Sequence, residues 1–268
     1  MKLIVQADDY GMTPAVADGI LYGIKHGIVR NTGLFANMPW AAECVEKIKP
    51  YLDHIAFGID LNASTGSSLL GYSKVPNLCH EDGTFLTSKE NREADQLVES
   101  HDHVDYQQVY AEFEAQIERF IELTGRKPDY IHGHAYGTET TERARRELAR
   151  KYDRPYTAEV SLKLMGKHAP MGWYQIGGPE AQLKEDLESF IVEDKGELLG
   201  HDTAYLITHC GYADARLFTL SSFNLCRVKD LEACTSERVM KWINKNRIEL
   251  ISMKDLTRDQ WGILIDQL

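Results

Sequence analysis

Short apolar runs and amphipathic segments alternate along most of the chain. Apolar residues recur at helical spacing in four segments, which are Pro14 to Lys25, Ala41 to Ile48, Tyr106 to Leu123 and Thr141 to Lys151. This spacing predicts helices that bury one face. Between them lie apolar runs typical of buried strands, which are Leu3 to Ala7, Gly33 to Met38, His54 to Leu61, Asp129 to His134, Ala204 to His209 and Arg247 to Ser252.

Strands that alternate with helices are usually parallel and joined by crossover helices. Polar residues gather at the carboxyl ends of several of these strands, at Asp8, Asp9, Asp60, His132, His134 and His209. In a parallel barrel those ends meet on one rim, where active sites lie. The pattern predicts an α/β fold, a single TIM-barrel-like (β/α) barrel domain over residues 1–268, with long loops around 62–105 and 156–182.

The first strand ends in two adjacent carboxylates, Asp8 and Asp9. Neighbouring side chains on a strand point to opposite sides, so one acid can bind a metal while the other handles a proton. The alternative is that these residues only cap the next helix. Thr13 and Pro14 already provide an N-cap and a first helical position, which favours the functional interpretation.

Two histidines, His132 and His134, lie two residues apart at another strand end. Such a pair alone is a weak metal signal, but Asp9 and Asp60 at other strand ends strengthen it. Carboxylate and imidazole ligands with open positions are typical of a catalytic divalent metal. His209, after a strand of leucine and isoleucine, is suited to act as a general acid, or to a purely structural hydrogen bond.

Charge and cysteine content limit the class of partner. The net charge of −11, with no basic stripe, argues against nucleic acid as a partner. No apolar run reaches the length of a membrane span, and Met1 leads straight into the first strand, so neither a membrane partner nor a signal peptide is expected. The five cysteines lack metal-binding spacing and indicate reduced thiols in a cytoplasmic protein. A homodimer is left open.

Several segments together resemble the YdjC-like carbohydrate deacetylases, which include the chitooligosaccharide deacetylases, over almost the whole length. The block from Ala7 to Val16 resembles the opening block of that family and is the most specific match. Further similar blocks run through Gly58 to Asn62, Val75 to Leu78 with Asp82 to Phe85, Arg126 to His134, Thr208 to Tyr212 and Arg227 to Ser252.

The resemblance implies a barrel related to the TIM barrel and a metal-dependent hydrolase that removes an N-acetyl group from a small (oligo)saccharide. It implies that Asp8 is the general base, that Asp9 and His134 bind the metal, and that His209 is the acid near the leaving amine. Aromatic side chains that could stack on the sugar are Tyr10, Tyr72, Tyr136, Trp173 and Tyr174.

Three departures from the family pattern concern the site. Asp60 stands where the family has a histidine, and His132 where it has an aspartate, so the two residue types have changed places; Cys210 replaces a proline beside His209. We expect Asp60 to complete a metal site with Asp9 and His134, with His132 as an alternative ligand or a residue that orients the ligands. One divalent ion, Mg²⁺, Mn²⁺ or Zn²⁺, is expected, and the acidic ligand set favours Mg²⁺.

Two other functions remain open at this point. One is a different metal hydrolysis on the same barrel, because barrels host many chemistries. The other is a non-catalytic sugar-binding relative that has lost its metal site through the exchange at Asp60 and His132.

Overall fold

The computed structural model describes residues 1–175 and 177–262 and places six parallel strands in one sheet. The order is β4-β3-β2-β1-β5, and β6 also pairs with β1. The strands are β1 (Lys2–Tyr10), β2 (Asn31–Leu34), β3 (Ala56–Leu61), β4 (Ile131–Gly133), β5 (Thr203–Thr208) and β6 (Glu249–Ile251). Each of the six predicted strand segments overlaps one of these strands, and the prediction of an α/β fold with parallel strands is confirmed.

Helices connect the strands and cover the sheet. Those of the described residues are α1 (Pro14–His26), α2 (Ala41–Ile48), α3 (Ser88–Asp95), α4 (Tyr106–Thr124), α5 (Glu139–Tyr152), α6 (Thr157–Met165), α7 (Pro179–Gln182), α8 (Leu187–Val192), α9 (Ala215–Leu220), α10 (Leu225–Cys234) and α11 (Glu237–Lys245). Thr13 caps α1 by accepting a hydrogen bond from the Val16 amide, and Gly125 ends α4 in the left-handed conformation. Thr13 is the N-cap that the sequence predicts, and α4 ends one residue beyond its predicted segment.

The sheet is strongly curved, which brings its distant strands together at one mouth. In a flat sheet β4 and β1 would lie about 14 Å apart, three strand spacings. The His132 Nε2 atom on β4 is nevertheless 2.9 Å from the Asp8 Oδ2 atom on β1. Helix α6 packs against both β4 and β5, the strands at the two ends of the order. Closure of the sheet into a complete barrel stays a prediction.

Two glycines make room for large polar side chains inside this curve. A Cβ atom on Gly33 would lie 1.8 Å from the Asp60 Oδ1 atom, and one on Gly58 would lie 2.5 Å from the Tyr130 ring. Residues paired across parallel strands point to the same face, so Gly33 and Gly58, which are paired, lie in one row of the interior. The space that they leave allows Asp60 to be fully buried.

The structure corrects two details of the sequence prediction. Strand β2 begins at Asn31 rather than Gly33, because the Asn31 and Thr32 side chains donate hydrogen bonds to β1 carbonyl oxygens, at 3.1 and 2.6 Å. The predicted loops 62–105 and 156–182 contain helices α3, α6 and α7. Helix α3 begins with a capping box of Thr87 and Glu90, a signal that the polar composition of this tract obscures.

Residues 263–268 of the predicted single domain lie outside the described residues. In the part of the chain that the structure describes, no helix has both the length and the apolar character needed to cross a membrane. The predicted cytoplasmic location stays a prediction.

Candidate active site

Asp8 lies at the centre of the mouth of the curved sheet, between two histidines. Its Oδ2 atom is 2.9 Å from His132 Nε2 and 3.8 Å from His209 Nε2. Its Oδ1 atom accepts a hydrogen bond from the side-chain Nε2 atom of Gln6 at 2.6 Å. Gln6 and Asp8 are two apart on β1 and therefore share its inner face. Three separate segments, the ends of β1, β4 and β5, thus meet at one carboxylate.

His132 carries the positive charge that keeps Asp8 ionised. Burial alone would raise the pKa of Asp8, but the charge of His132 and its hydrogen bond outweigh burial and lower it. Burial also acts to lower the pKa of His132, and the charge and hydrogen bond of Asp8 instead raise it to about 9. The other ring nitrogen, Nδ1, is 2.5 Å from the Thr157 hydroxyl oxygen, so a protonated His132 donates to both neighbours.

Asp9 has a different conformation and different partners. The register of β1 against β2 is irregular between Ala7 and Tyr10, and Asp9 has a φ of 71°. This left-handed conformation is unusual for a residue other than glycine. It turns the Asp9 amide towards the Asp60 Oδ2 atom, to which it donates a hydrogen bond at 2.7 Å. Asp9 therefore contacts Asp60 through its backbone, whereas Asp8 contacts His132 through its carboxylate.

The Asp9 carboxylate pairs with a fully buried arginine. Arg227 donates from its Nη2 atom to Asp9 Oδ2 at 2.6 Å. Burial raises the pKa of Asp9, yet the charges of His134 and Arg227 hold it well below its usual range. Two buried opposite charges in such contact stabilise each other only as long as both are present. Asp9 is therefore fixed as an anion.

The remaining Asp9 oxygen is well placed to hold a metal ion. Asp9 Oδ1 is buried and lies 2.8 Å from His134 Nδ1, but the pair does not have hydrogen-bond geometry. Two adjacent ligands of an octahedral ion at 2.0–2.1 Å are separated by about 2.9 Å. Asp9 and His134 therefore fit a divalent ion as two protein ligands that converge on one point.

The expected third ligand, Asp60, stays a prediction. Within residues 1–175 and 177–262, no group of three histidine, cysteine, aspartate or glutamate side chains is arranged to hold a metal ion. One Asp60 oxygen is occupied by the Asp9 amide. Burial and the charge of Asp8 raise the pKa of Asp60 well above its usual range, and its other oxygen, Oδ1, is buried without a hydrogen-bond partner.

Both nitrogens of His132 have partners, Asp8 and Thr157. The two exchanged positions are neighbours, since Asp60 and His132 are paired residues of β3 and β4. In this arrangement His132 orients Asp8, and its alternative role as a metal ligand stays a prediction.

His209 belongs to a second hydrogen-bonded group, which sequence reasoning missed. Its Nδ1 atom is 2.8 Å from the Tyr174 hydroxyl, and that hydroxyl lies 2.5 Å from Asp230 Oδ2. Asp230 also accepts hydrogen bonds from the His209 amide at 2.8 Å and from Trp173 Nε1 at 3.0 Å. Burial lowers the pKa of His209 to about 4, so its imidazole is neutral at neutral pH.

Helix α10 provides both of the missed charged residues. Arg227 and Asp230 are three apart and lie on one face of α10, where each reaches a different part of the site. The only sign of these two residues in the sequence was the block from Arg227 to Ser252 that resembles the family.

Most of the aromatic candidates for sugar stacking have other contacts. Tyr10, Tyr136 and Trp173 are buried and hydrogen-bonded, and only Tyr72 of the candidates is well exposed.

Proteins of similar sequence show the family to which the chain belongs. The sequence profile of the YdjC-like proteins matches residues 2–245. A carbohydrate deacetylase of Clostridium beijerinckii is 30% identical over 268 residues, covering 96% of this chain and 100% of the relative. Carbohydrate deacetylase 2 of Listeria innocua is 28% identical over 262 residues, with the same two shares of coverage.

A solved structure supports the same assignment. The crystal structure of a protein from Enterococcus faecalis V583, provisionally named a cellobiose-phosphate cleavage protein, is 25% identical in sequence. It superposes with a TM-score of 0.74, covering 96% of this chain and 98% of that one. Because the family profile spans nearly the whole chain, this protein belongs to the family of YdjC-like proteins.

Proposed function

We propose that this protein is a carbohydrate deacetylase that hydrolyses the N-acetyl amide of a small sugar. The observation that carries the proposal is the position of Asp8. Its Oδ2 atom faces His209 Nε2 at 3.8 Å, beside the converging Asp9 and His134 pair. An anionic base, a neutral imidazole and a candidate cation site within one mouth are the groups that amide hydrolysis needs. The relatives named carbohydrate deacetylase support the sugar amide as the substrate.

In the proposed reaction Asp8 takes a proton from the attacking water. The water oxygen bonds to the acetyl carbon, and the carbon–nitrogen bond then breaks to give acetate and a sugar amine. His209 delivers a proton from Nε2 to the departing nitrogen. Because His209 is neutral at rest, its Nε2 atom must first receive this proton. Asp8 is the neighbouring group that can transfer the proton to Nε2.

Asp9 and His134 would hold one divalent ion. Such an ion supplies positive charge that polarises the acetyl carbonyl and makes a bound water more acidic. Arg227 fixes one Asp9 oxygen and leaves the other directed towards His134, so the carboxylate is oriented before any ion arrives. The short separation of the two donor atoms favours the octahedral ions Mg²⁺ and Mn²⁺ over Zn²⁺, which prefers tetrahedral sites.

The identity of the sugar is the least constrained part of the proposal. The relatives are named for carbohydrates in general, and the protein from Enterococcus faecalis is named for a phosphorylated disaccharide. We therefore include N-acetylated monosaccharides and disaccharides, each with and without a phosphate group, among the candidate substrates. The oligomeric state, including a homodimer, stays open.

The test is acetate release by the wild-type protein across such a panel, with Mg²⁺, Mn²⁺ or Zn²⁺ added. Asp8→Asn should lower kcat by about 10²- to 10⁴-fold, the usual contribution of a general base. Asp18→Asn, a matched change on an exposed aspartate of α1, should retain wild-type kcat. An active Asp8→Asn variant would rule out the proposed base.

Two other results would point elsewhere. Hydrolysis of an ester or phosphate in place of the amide would indicate a different metal hydrolase on this fold. Tight sugar binding without turnover of any compound would indicate a non-catalytic relative. Either result overturns the proposed activity.

A further inference from the structure

Tyr174 lies between the buried Asp230 and His209 and contacts both. Its hydroxyl is 2.5 Å from Asp230 Oδ2 and 2.8 Å from His209 Nδ1. The Tyr174 ring also packs edge-on against the rings of His209 and Phe223, with centroid separations of 5.4 and 4.8 Å. Phe223 packs against His209 from another side at 5.0 Å. The imidazole therefore has little freedom to rotate.

The hydrogen bonds around Asp230 and Tyr174 determine which ring nitrogen of His209 carries the proton. Asp230 receives donors on both oxygens, from Trp173 Nε1 on Oδ1 and from the His209 amide on Oδ2. A carboxylate surrounded by donors is best satisfied as an acceptor, so the single phenolic proton of Tyr174 points to Asp230. The Tyr174 oxygen can then only accept from His209, which requires a proton on Nδ1. The lone pair of neutral His209 is left on Nε2.

We propose that Tyr174 is a positioning residue that transmits the charge of Asp230 to His209, holding the imidazole as the Nδ1–H tautomer with Nε2 free to exchange protons with Asp8 and the substrate. The role in hydrolysis rests on the function proposed above, whereas the tautomer rests on the hydrogen bonds alone. No direct contact joins the Asp230 carboxylate to the His209 ring in the described contacts, and the tyrosine hydroxyl fills that place.

The arrangement also explains how His209 can act after it has been neutral at rest. When Nε2 takes up a proton, the ring becomes an imidazolium that keeps its Nδ1–H bond to Tyr174. Tyr174 still donates to the Asp230 anion, so the positive ring is joined to a negative group through one hydroxyl. Returning the Nε2 proton to the departing amine restores the resting state, with no net change in protons. A carboxylate that orients and stabilises a catalytic imidazole has the same role in hydrolytic triads.

The experiment measures the tautomer and turnover on the same proteins. Histidine labelled with ¹⁵N in the full chain gives a nitrogen–proton correlation pattern that shows which ring nitrogen carries the proton, and His209→Asn assigns the signal. Wild type should show Nδ1–H, and Tyr174→Phe should shift His209 towards Nε2–H. The kcat of Tyr174→Phe should fall about 10- to 100-fold with KM little changed. Tyr152→Phe, which removes a hydroxyl that donates to Glu118, should retain both properties.

Asp230→Leu provides a second variant. It removes the acceptor of the phenolic proton, which then turns towards His209 Nδ1, so His209 should again become Nε2–H. A wild-type protein with Nε2–H, or a Tyr174→Phe variant that keeps Nδ1–H, overturns the proposal. A shifted tautomer with unchanged kcat overturns the role in catalysis. If no sugar is hydrolysed by wild type, the proposed function fails while the tautomer measurement still decides the role of Tyr174.

Discussion

Asp8 and Asp9 are adjacent in the sequence, yet the two carboxylates have opposite kinds of partner. Asp8 contacts two histidines, His132 and His209, which can gain or lose protons. Asp9 is paired with Arg227, which stays charged at any ordinary pH, and it has one oxygen directed at His134. The Asp8 side is therefore built to exchange protons, and the Asp9 side to hold a fixed charge.

Two features of the backbone produce this difference. Strand alternation places neighbouring side chains on opposite sides, and the left-handed conformation of Asp9 adds a further rotation. Helix α10 then reaches both sides at once, with Arg227 at Asp9 and Asp230 at the amide of His209. One pair of adjacent acids can therefore serve two tasks when one acid faces residues that gain or lose protons and the other faces a residue that stays charged.

The largest effect should come from removing the fixed charge beside Asp9. Arg227→Met leaves a buried carboxylate without its partner, so we expect the free energy of unfolding to fall by about 3–5 kcal/mol. Urea unfolding with linear extrapolation measures it. Arg238→Met, which removes an exposed arginine paired with Glu188, should change stability by about 0.5 kcal/mol or less. Equal losses in the two variants would show that the Asp9 pair is not a buried ion pair.

On the Asp8 side the partner can lose its charge, so stability there should depend on pH. The pKa of His132 is raised to about 9 in the folded state, above its ordinary value of 6.5. The stabilisation is therefore complete below about pH 6.5 and is lost as the pH rises through about 9. The expected loss is on the order of 3 kcal/mol.

The measurement compares the unfolding free energies of wild type and His132→Gln between pH 6 and pH 10. The gap between the two proteins should narrow as the pH rises. A gap that stays constant across this range would mean that His132 is not charged in the folded protein.

Strand-end residues were the part of the site that the sequence predicted best. Asp8, Asp9, His132, His134 and His209 could be placed at one mouth because parallel strands end on the same side, and periodicity locates strand ends. The contact between Asp60 and the Asp9 amide could not be predicted, because it depends on the φ of Asp9, a single backbone angle. Nothing in the order of residues indicates that the Asp9 amide turns towards Asp60.

Arg227, Asp230 and Tyr174 were harder to predict for another reason. Arg227 is 218 positions away from Asp9, and Tyr174 lies in a segment that the sequence describes only as a loop. Such contacts depend on how helix α10 packs against the sheet, which periodicity does not specify. Their residue types were visible, but their partners were not.

The affinity for a divalent metal ion should depend on Asp9 and hardly on Asp8, which is a smaller but measurable difference. Asp9→Asn weakens one of the two converging ligands, so we expect the affinity for Mn²⁺ or Mg²⁺ to fall by more than about 10-fold. Asp8→Asn should leave the affinity within about twofold, because Asp8 contacts histidines rather than the converging pair. Calorimetric titration of both variants and wild type measures this. Equal losses would place both carboxylates at the ion and end the division of tasks between them.

The smallest effect concerns the exchanged positions Asp60 and His132, which are paired on β3 and β4 beside Asp8. Asp60→His places a second imidazole next to His132, and His132→Asp places a third acid next to Asp8 and Asp60. Each single variant thus collects like charges in a buried space, whereas the double variant restores one acid and one imidazole. Neighbouring residues commonly show coupling energies of 0.5–3 kcal/mol, and we expect about 1 kcal/mol between these two positions.

Unfolding free energies of wild type, the two single variants and the double variant give the coupling energy directly. Single effects that add to the double effect within about 0.5 kcal/mol would mean that the two positions act independently, and the exchange would then carry no information about the Asp8 side.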